Sequence, residues 1–439
     1  MEWKILEIKK NIVKNFSRKE KILMNENIKK RLLEALKSFL EGEKVQWESG
    51  VSPEEWGTLF DLAIQHQILP MIYEAVYACP AFQSMPENQK DYLKHRMIQQ
   101  VMVQGRKTAE FLSLYSRLLE KDLTPVVVKG IICREMYREP DYRASGDEDV
   151  LIPPEQFPLC DQVFRENAMD YLEPEKDPEK EGEVPYYKKG GLLHIELHKE
   201  LFPSQSEAYG ELNEMFWDVF QRKIQTEIQG VPVYTMGHTD HLLYLILHAF
   251  KHFLHSGFGI RQVCDIVIYA NTYGSEIDWE YLYQACQKIH GENFTAALFH
   301  IGEKYLNFDK EQACYPALWQ QEEADGEALL DDLLQGGVFG DSSLSRKHSS
   351  NMTLAAVTDE KKGKKAKGSL ASSLFPDKEY MAGKYTYLEK YPFLLPAAWG
   401  SRILNYMKET QGTKNNDAKE SIAIGNQRIE LLKKYKIIR

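Results

Sequence analysis

Two aspartates, Asp147 and Asp149, stand two positions apart in the run Arg143-Ala144-Ser145-Gly146-Asp147-Glu148-Asp149-Val150-Leu151-Ile152. On a strand, residues i and i+2 point to one face. Carboxylates held side by side repel each other unless a cation sits between them. Hard oxygen ligands of this kind suit Mg²⁺, which is typically held by one or two carboxylates plus substrate phosphates; Mn²⁺ is the natural stand-in. The pair therefore points to metal-assisted phosphoryl or nucleotidyl transfer. A third acid lies downstream in His194-Ile195-Glu196-Leu197-His198. Alternation puts His194, Glu196 and His198 on one face and the two apolar residues on the other. Glu196 can join the aspartates from a neighbouring strand, and three carboxylates can hold two divalent ions. Glu196 or Asp149 can also accept a proton from an attacking hydroxyl. The competing reading is a solvated sheet face dressed with polar residues.

Phosphates need positive charge and close backbone approach. Lys129 and Gly130 follow a Val-rich run, and glycine lets amide groups come near a phosphate. Lys129 and Arg143 offer fixed charge to a polyphosphate. Gly146, His198 and Lys251 complete the nucleotide-binding candidates. Each cation has a plainer reading, Lys129 as a strand-end lysine in solvent and Arg143 as half of a structural salt bridge. The spacing of a Walker loop is missing. A stripe of His241, His248, His252 and His255 runs along one helix. His248 and His252 have i,i+4 metal-ligand spacing. No His-Glu-x-x-His arrangement accompanies them, so a cleft-lining role competes with a zinc site. Asp265 is either a supporting partner of the site or a helix salt bridge.

The elements that must position these groups follow from periodicity. Residues 1–24 form a basic extension, with seven Lys or Arg against three Glu over the first 23. Residues 25–120 predict an N-terminal helical region. It includes a helix capped by Ser52-Pro53-Glu54-Glu55 and a long helix over 87–120 in which no chemistry is evident. Strands interrupted by helices over 121–236 predict a compact α/β unit, with Lys189-Gly190-Gly191 as a hairpin turn. Pro185 is expected at the start of its strand. Residues 237–335 predict a helical domain that opens with a helix capped by Thr239. The Ser- and Lys-rich stretch 336–372 predicts a flexible linker, and 373–439 a C-terminal helical segment and tail.

The chain of 439 residues suits two or three domains, and 43% hydrophobic residues supply ample core. A net charge of −10 argues against a dedicated nucleic-acid binder; a nucleic-acid partner stays open but is not favoured. Six cysteines without a Cys-x-x-Cys pair fit reduced thiols in a cytoplasmic protein. No stretch approaches the length of a membrane span.

The segments Val126-Val127-Val128-Lys129-Gly130, Arg143 to Ile152 and Ile195-Glu196-Leu197-His198 resemble the uncharacterised nucleotidyltransferase family within the DNA polymerase β superfamily. The helix Leu242 to His252 and the region from Phe375-Pro376 to Leu394-Leu395-Pro396 are also similar to the family's pattern. The resemblance implies an α+β fold, a polymerase β-like palm with a small mixed sheet, flanked by N-terminal and C-terminal helical regions. It implies Asp147, Asp149 and Glu196 as Mg²⁺ ligands, an NTP as donor, a hydroxyl acceptor and pyrophosphate as product. Two positions depart from the pattern: Ile131 follows Gly130 where the superfamily has Ser, and Glu148 takes an apolar place between the aspartates. These departures motivate the alternative of a non-catalytic nucleotide-binding module. Glu148 should point into the helix layer, where it must be exposed at an edge or paired, because a buried unpaired carboxylate is costly.

Overall fold

The computed structural model describes residues 26–320, 325–337, 344–363, 378, 381, 385, 387–401 and 418–439. The basic extension, the Lys364–Lys367 part of the linker and Phe375-Pro376 lie outside the described residues. The fold is α+β, one seven-stranded mixed sheet flanked by helices.

The strands are β1 (Val126–Val128), β2 (Glu148–Leu151), β3 (Met169–Tyr171), β4 (Glu183–Lys188), β5 (His194–His198), β6 (Ile224–Ile228) and β7 (Val231–Thr235). Their order across the sheet is β3-β4-β5-β2-β1-β7-β6. β1 is antiparallel to β2 and parallel to β7, while β2 runs parallel to β5. The hairpin at Lys189-Gly190-Gly191 forms as the glycines predict, with Gly190 at φ +71°. Pro185 lies inside β4 rather than at its start. It is tolerated because β3 pairs only with Tyr186 to Lys188, beyond the proline.

Helices cover both faces. The N-terminal set is α1 (Glu26–Glu41), α2 (Pro53–Gln65), α3 (Leu69–Val76) and α4 (Glu87–Leu119). Ser52 and Glu55 close a reciprocal capping box at the start of α2, at 2.8 and 3.2 Å. Phe111, Leu114, Tyr115 and Leu118 of α4 pack on Val127, Val150, Ile195 and Leu197 from one face of the sheet, together with α6 (Phe157–Glu166). The Tyr115 hydroxyl accepts the Tyr234 N–H and donates to the Pro125 carbonyl, so α4 is bolted to two strands. Between β1 and β2 lies the short α5 (Gly130–Arg134).

The other face belongs to the larger core. Val126, Val128 and Leu151 meet α7 (His238–Leu254), whose apolar residues are nearly all buried. Around it stand α8 (Ile260–Tyr273), α9 (Trp279–Lys288), α10 (Glu292–Tyr305) and α11 (Gly326–Gly336). Gly237, not Thr239, caps α7; the Thr239 hydroxyl instead accepts the Asp278 N–H at 2.9 Å.

The expected linker contains a helix, α12 (Leu344–Lys361), which packs on α13 (Ala418–Lys434). Met352, Ala356 and Val357 join the main core, as do Ile429, Leu432 and Tyr435 from the expected tail. The low hydropathy of α12 is misleading because its inward face is largely hydrogen-bonded polar groups. Ser345, Arg346, Ser349 and Thr353 are all buried. Two of these groups, with Arg428 of α13, finish α7. Thr353 Oγ1 donates to the Leu254 carbonyl at 2.6 Å, Arg346 donates to the Ser256 carbonyl at 2.6 Å, and Arg428 donates to the carbonyls of Phe253 and His255. Asp332 lies between the two arginines, 2.7 Å from Arg346 and 3.7 Å from Arg428. No described helix is long and apolar enough to cross a membrane.

Candidate active site

Strand register assembles the acids. In the parallel pair β2–β5, Asp149 lies opposite Glu196 and Leu151 opposite His198. Asp149, Glu196 and His198 each place one ligand atom within 4.8 Å of the others. His198 Nε2 is 3.2 Å from Asp149 Oδ1 and 3.7 Å from the Glu196 carboxylate. The face is therefore not a solvated one; α7 and the Arg143–Asp147 loop wall it into a cleft. Asp147 lines the same cleft but stands outside the tight group. The physical reason is that β2 begins at Glu148, so Asp147 belongs to the loop and not to the strand face. His198, expected to contact nucleotide, is instead the third member of the cluster.

Lys129 and Gly130 make the floor. Lys129 has φ +52° and ψ −126°, a region that glycine occupies freely and a lysine adopts only under constraint, at about 1–3 kcal/mol. Its N–H donates to His241 Nε2 at 3.1 Å. The Thr235 hydroxyl donates to the Val127 carbonyl, which leaves its oxygen to accept from His241 Nδ1. That network assigns the Nδ1–H tautomer to His241. Burial pushes its imidazole down to about 3, so it stays neutral. At the other end of Lys129, the ammonium lies 2.8 Å from Asp149 Oδ1 and 3.0 Å from His248 Nε2. Gly130, at φ +31°, sits so close to Glu148 that a Cβ there would collide with the carboxylate. The Ile131 N–H already donates to Glu148 at 2.7 Å. Two amides of the Lys129–Ile131 turn are thus spoken for.

Glu148 is paired, as its position requires. Its carboxylate meets the Arg134 guanidinium at 2.6 Å, both side chains being at most 2% exposed.

The Arg143–Gly146 loop is pinned from several sides. Arg143 turns its fork to Asp265 at 3.1 and 2.6 Å and donates to Ser145 Oγ at 2.6 Å. Of its two open readings, the structural salt bridge is the one observed. Its side chain lines the cleft, but the charge is matched. Tyr137 shares Asp265 at 2.8 Å. From α4, Gln104 accepts the Ser145 N–H at 2.7 Å, and Lys107 donates to the carbonyls of Ser145 and Gly146 at 3.0 and 2.8 Å. Arg261 of α8 donates to the Ala144 carbonyl. Gln104, Lys107 and Arg261 escaped sequence reasoning, as did Glu183, which also lines the cleft. The one available signal was a polar pair, Gln104 and Lys107, at helical spacing ahead of the apolar stripe of α4.

Electrostatically, acids crowd one side of the cleft. Burial, then the Asp149 and Asp147 carboxylates, push Glu196 up to about 9. Burial also opposes ionisation of Asp149, but Lys129 and His198 outweigh it and hold Asp149 well below the usual carboxylate range. On the α7 wall, burial and then Lys129 depress His248, while burial and then Lys251 depress His252. His248 and His252 lie 3.2 Å apart, whereas His255 turns away to the Tyr209 hydroxyl at 2.7 Å. The stripe thus splits, two members lining the cleft; among the described residues the three-ligand grouping found is that of Asp149, Glu196 and His198, not a zinc set on α7. Burial lowers Lys251 and pushes Arg261 down to about 10.

This donor set fits a divalent cation. Burial and two neighbouring carboxylates crowd negative charge on Glu196 that a cation would relieve, and oxygen ligands suit a hard ion. No curated protein and no solved structure matches the chain significantly. A family described as "Uncharacterised nucleotidyltransferase" matches residues 52–307, which hold every cleft residue named above. With the Lys-Gly turn, the Gly-Asp-x-Asp run and the Glu-Leu-His strand converging on one cleft, the chain belongs to this nucleotidyltransferase family.

Proposed function

We propose that the protein moves a nucleoside monophosphate from an NTP to a hydroxyl acceptor and releases pyrophosphate. The observation that carries this reading is the register of β2 and β5, which sets Asp149 beside Glu196 in a cleft also lined by Asp147. Asp147, Asp149 and Glu196, with His198, would hold Mg²⁺. Bound there, Mg²⁺ would neutralise phosphate charge and favour ionisation of the attacking hydroxyl. Lys251 and Arg261 line the same cleft and offer positive charge to the polyphosphate. Arg143 acts at one remove, fixing through Asp265 and Ser145 the loop that carries Asp147. Gly146, held by Lys107, keeps that loop close. The acidic chain favours a small molecule or a protein hydroxyl over RNA as acceptor.

Calorimetric titration of each NTP, with Mg²⁺ and with EDTA, tests the reading. Wild type should bind one or more NTPs only with Mg²⁺, and the double variant Asp147→Asn/Asp149→Asn should not. Transfer of α-phosphate label to an acceptor should fall on the order of 10³-fold in that variant. NTP binding indifferent to Mg²⁺ and to both aspartates would sink it.

A second reading draws on the amides of Lys129 and Ile131 being engaged by His241 and Glu148. That geometry suits a module that binds nucleotide without turning it over. Mg²⁺-dependent NTP binding with no label transfer to any acceptor would favour it.

A further inference from the structure

Lys129 is held in place by an unusual amount of structure for a residue that only needs to be positive. Its backbone adopts a glycine-like conformation, φ +52° and ψ −126°. Its N–H is fixed by His241 at 3.1 Å, and His241 is fixed in turn by Thr235. Its ammonium is shared between Asp149 Oδ1 at 2.8 Å and His248 Nε2 at 3.0 Å. Asp149 Oδ1 is also the oxygen that His198 approaches at 3.2 Å. The Asp149 oxygen nearest His198 is therefore already occupied by a cation belonging to the chain. A divalent ion needs that oxygen at about 2.0–2.1 Å, and an ammonium and a dication on one oxygen repel each other.

We propose that Lys129 is an internal counter-ion that keeps the metal position closed until nucleotide arrives. The polyphosphate takes over the ammonium, and Asp149 is released to the divalent ion. The inference rests on the transferase reading and adds an order to it: nucleotide, or nucleotide and metal together, before metal alone. The geometry permits the exchange. The lysine side chain has a flexible four-carbon stem, it is 16% exposed and so reaches the open cleft, and the backbone need not move because His241 holds the amide, not the side chain. His248, neutral through burial, offers a lone pair to the ammonium in the closed state and competes weakly with a phosphate oxygen.

A mere structural ion pair would behave differently towards metal, and Mn²⁺ binding to the full chain separates the two. Free Mn²⁺ is followed by electron paramagnetic resonance, with and without an α,β-methylene NTP analogue, after subtracting Mn²⁺ held by the analogue alone. Lys129→Gly removes the ammonium and suits the positive φ, and Lys129→Arg restores the charge. Wild type and Lys129→Arg should bind Mn²⁺ weakly alone and at least tenfold more tightly with the analogue. Lys129→Gly should bind Mn²⁺ at least tenfold more tightly than wild type without analogue, and the analogue should add less than threefold. Equal Mn²⁺ affinity in wild type and Lys129→Gly without analogue overturns the gate and leaves the metal site standing. No Mn²⁺ bound by any form, with or without analogue, overturns the gate and the metal-dependent reading together. If Lys129→Gly does not fold, as judged by thermal melting, wild type decides: Mn²⁺ affinity unchanged by the analogue overturns the gate.

Discussion

Glu148 and Asp149 are neighbours on one strand, both buried, both paired with a cation, and they do opposite things. Glu148 faces the α4 side, where it is closed off between Arg134 and the Ile131 amide. Every negative charge there has its partner, and nothing opens to solvent. Asp149 faces the α7 side, where Lys129 must serve a group of acids that also includes Glu196 and Asp147. The surplus of carboxylate, and the cleft that exposes it, distinguish a site from a structural ion pair. Burial does not, because the closed ion pair and the open one share it.

The largest expected effect comes from breaking the closed pair. Glu148→Gln leaves Arg134, 1% exposed, without a counter-charge, and should cost about 3–5 kcal/mol in urea denaturation. Replacing Glu148 and Arg134 together by Met should recover most of that loss. Asp149→Asn should cost far less, because Glu196 and Asp147 still face the Lys129 ammonium. If the two single variants cost the same, the distinction drawn here between closed and open pairs fails.

Next in size is Gly130→Ala. The added methyl meets the Glu148 carboxylate and is asked to accept φ +31°. A loss of about 1–3 kcal/mol is expected, together with weakened NTP binding by calorimetry. Unchanged stability would show that Glu148 can swing aside and that its pocket is looser than it looks.

The smallest effect is a slope. Glu196 is raised in the folded state from an ordinary 4.5 to about 9. The folded protein therefore keeps a proton that the unfolded chain has lost. The associated stability is complete below about pH 4.5 and disappears as pH rises through about 9. Between pH 8 and 9 the metal-free protein should lose stability, by less than about 1.4 kcal/mol per pH unit since the carboxylate is 31% exposed. The buried histidines, depressed below their ordinary range, are neutral when folded, and above about pH 8 the unfolded chain has lost their protons as well, so over that interval they contribute little. Glu196→Gln should flatten the slope relative to wild type, and saturating Mg²⁺ should abolish the difference. Identical slopes in the two proteins would mean that the carboxylates do not crowd Glu196.

What could be read from the residues alone was local. Alternation put Glu196 and His198 on one face, the Gly-Asp-x-Asp run marked the acids, and Glu148 had to find a partner. What could not be read was pairing at a distance. Asp149 and Glu196 meet because β5 returns beside β2 after an excursion through β3 and β4, and no periodicity encodes that order. Arg143 carried two equally good readings until its partner Asp265, 122 residues away, was in view. Gln104 and Lys107 looked like ordinary helix surface because the carbonyls and amide they hold lie about 40 residues downstream. The helix α12 was hidden by its composition. Its buried face mixes Met352, Ala356 and Val357 with serine, threonine and arginine, which hydropathy counts as solvent-loving although each has a partner inside.

The arginines at the end of α7 put the borders of ancestry and of folding in different places. The family match stops at residue 307, yet the helix that carries His248, Lys251 and His252 is finished by Arg346, Thr353 and Arg428. Helix-end carbonyls buried without donors are costly. A protein trimmed to the shared stretch would keep every cleft residue and leave the last turn of the cleft wall without its donors. A relative without α12 and α13 would have to close that turn by other means. Comparing how such relatives do so would show which part of the cleft wall is inherited and which each chain supplies for itself.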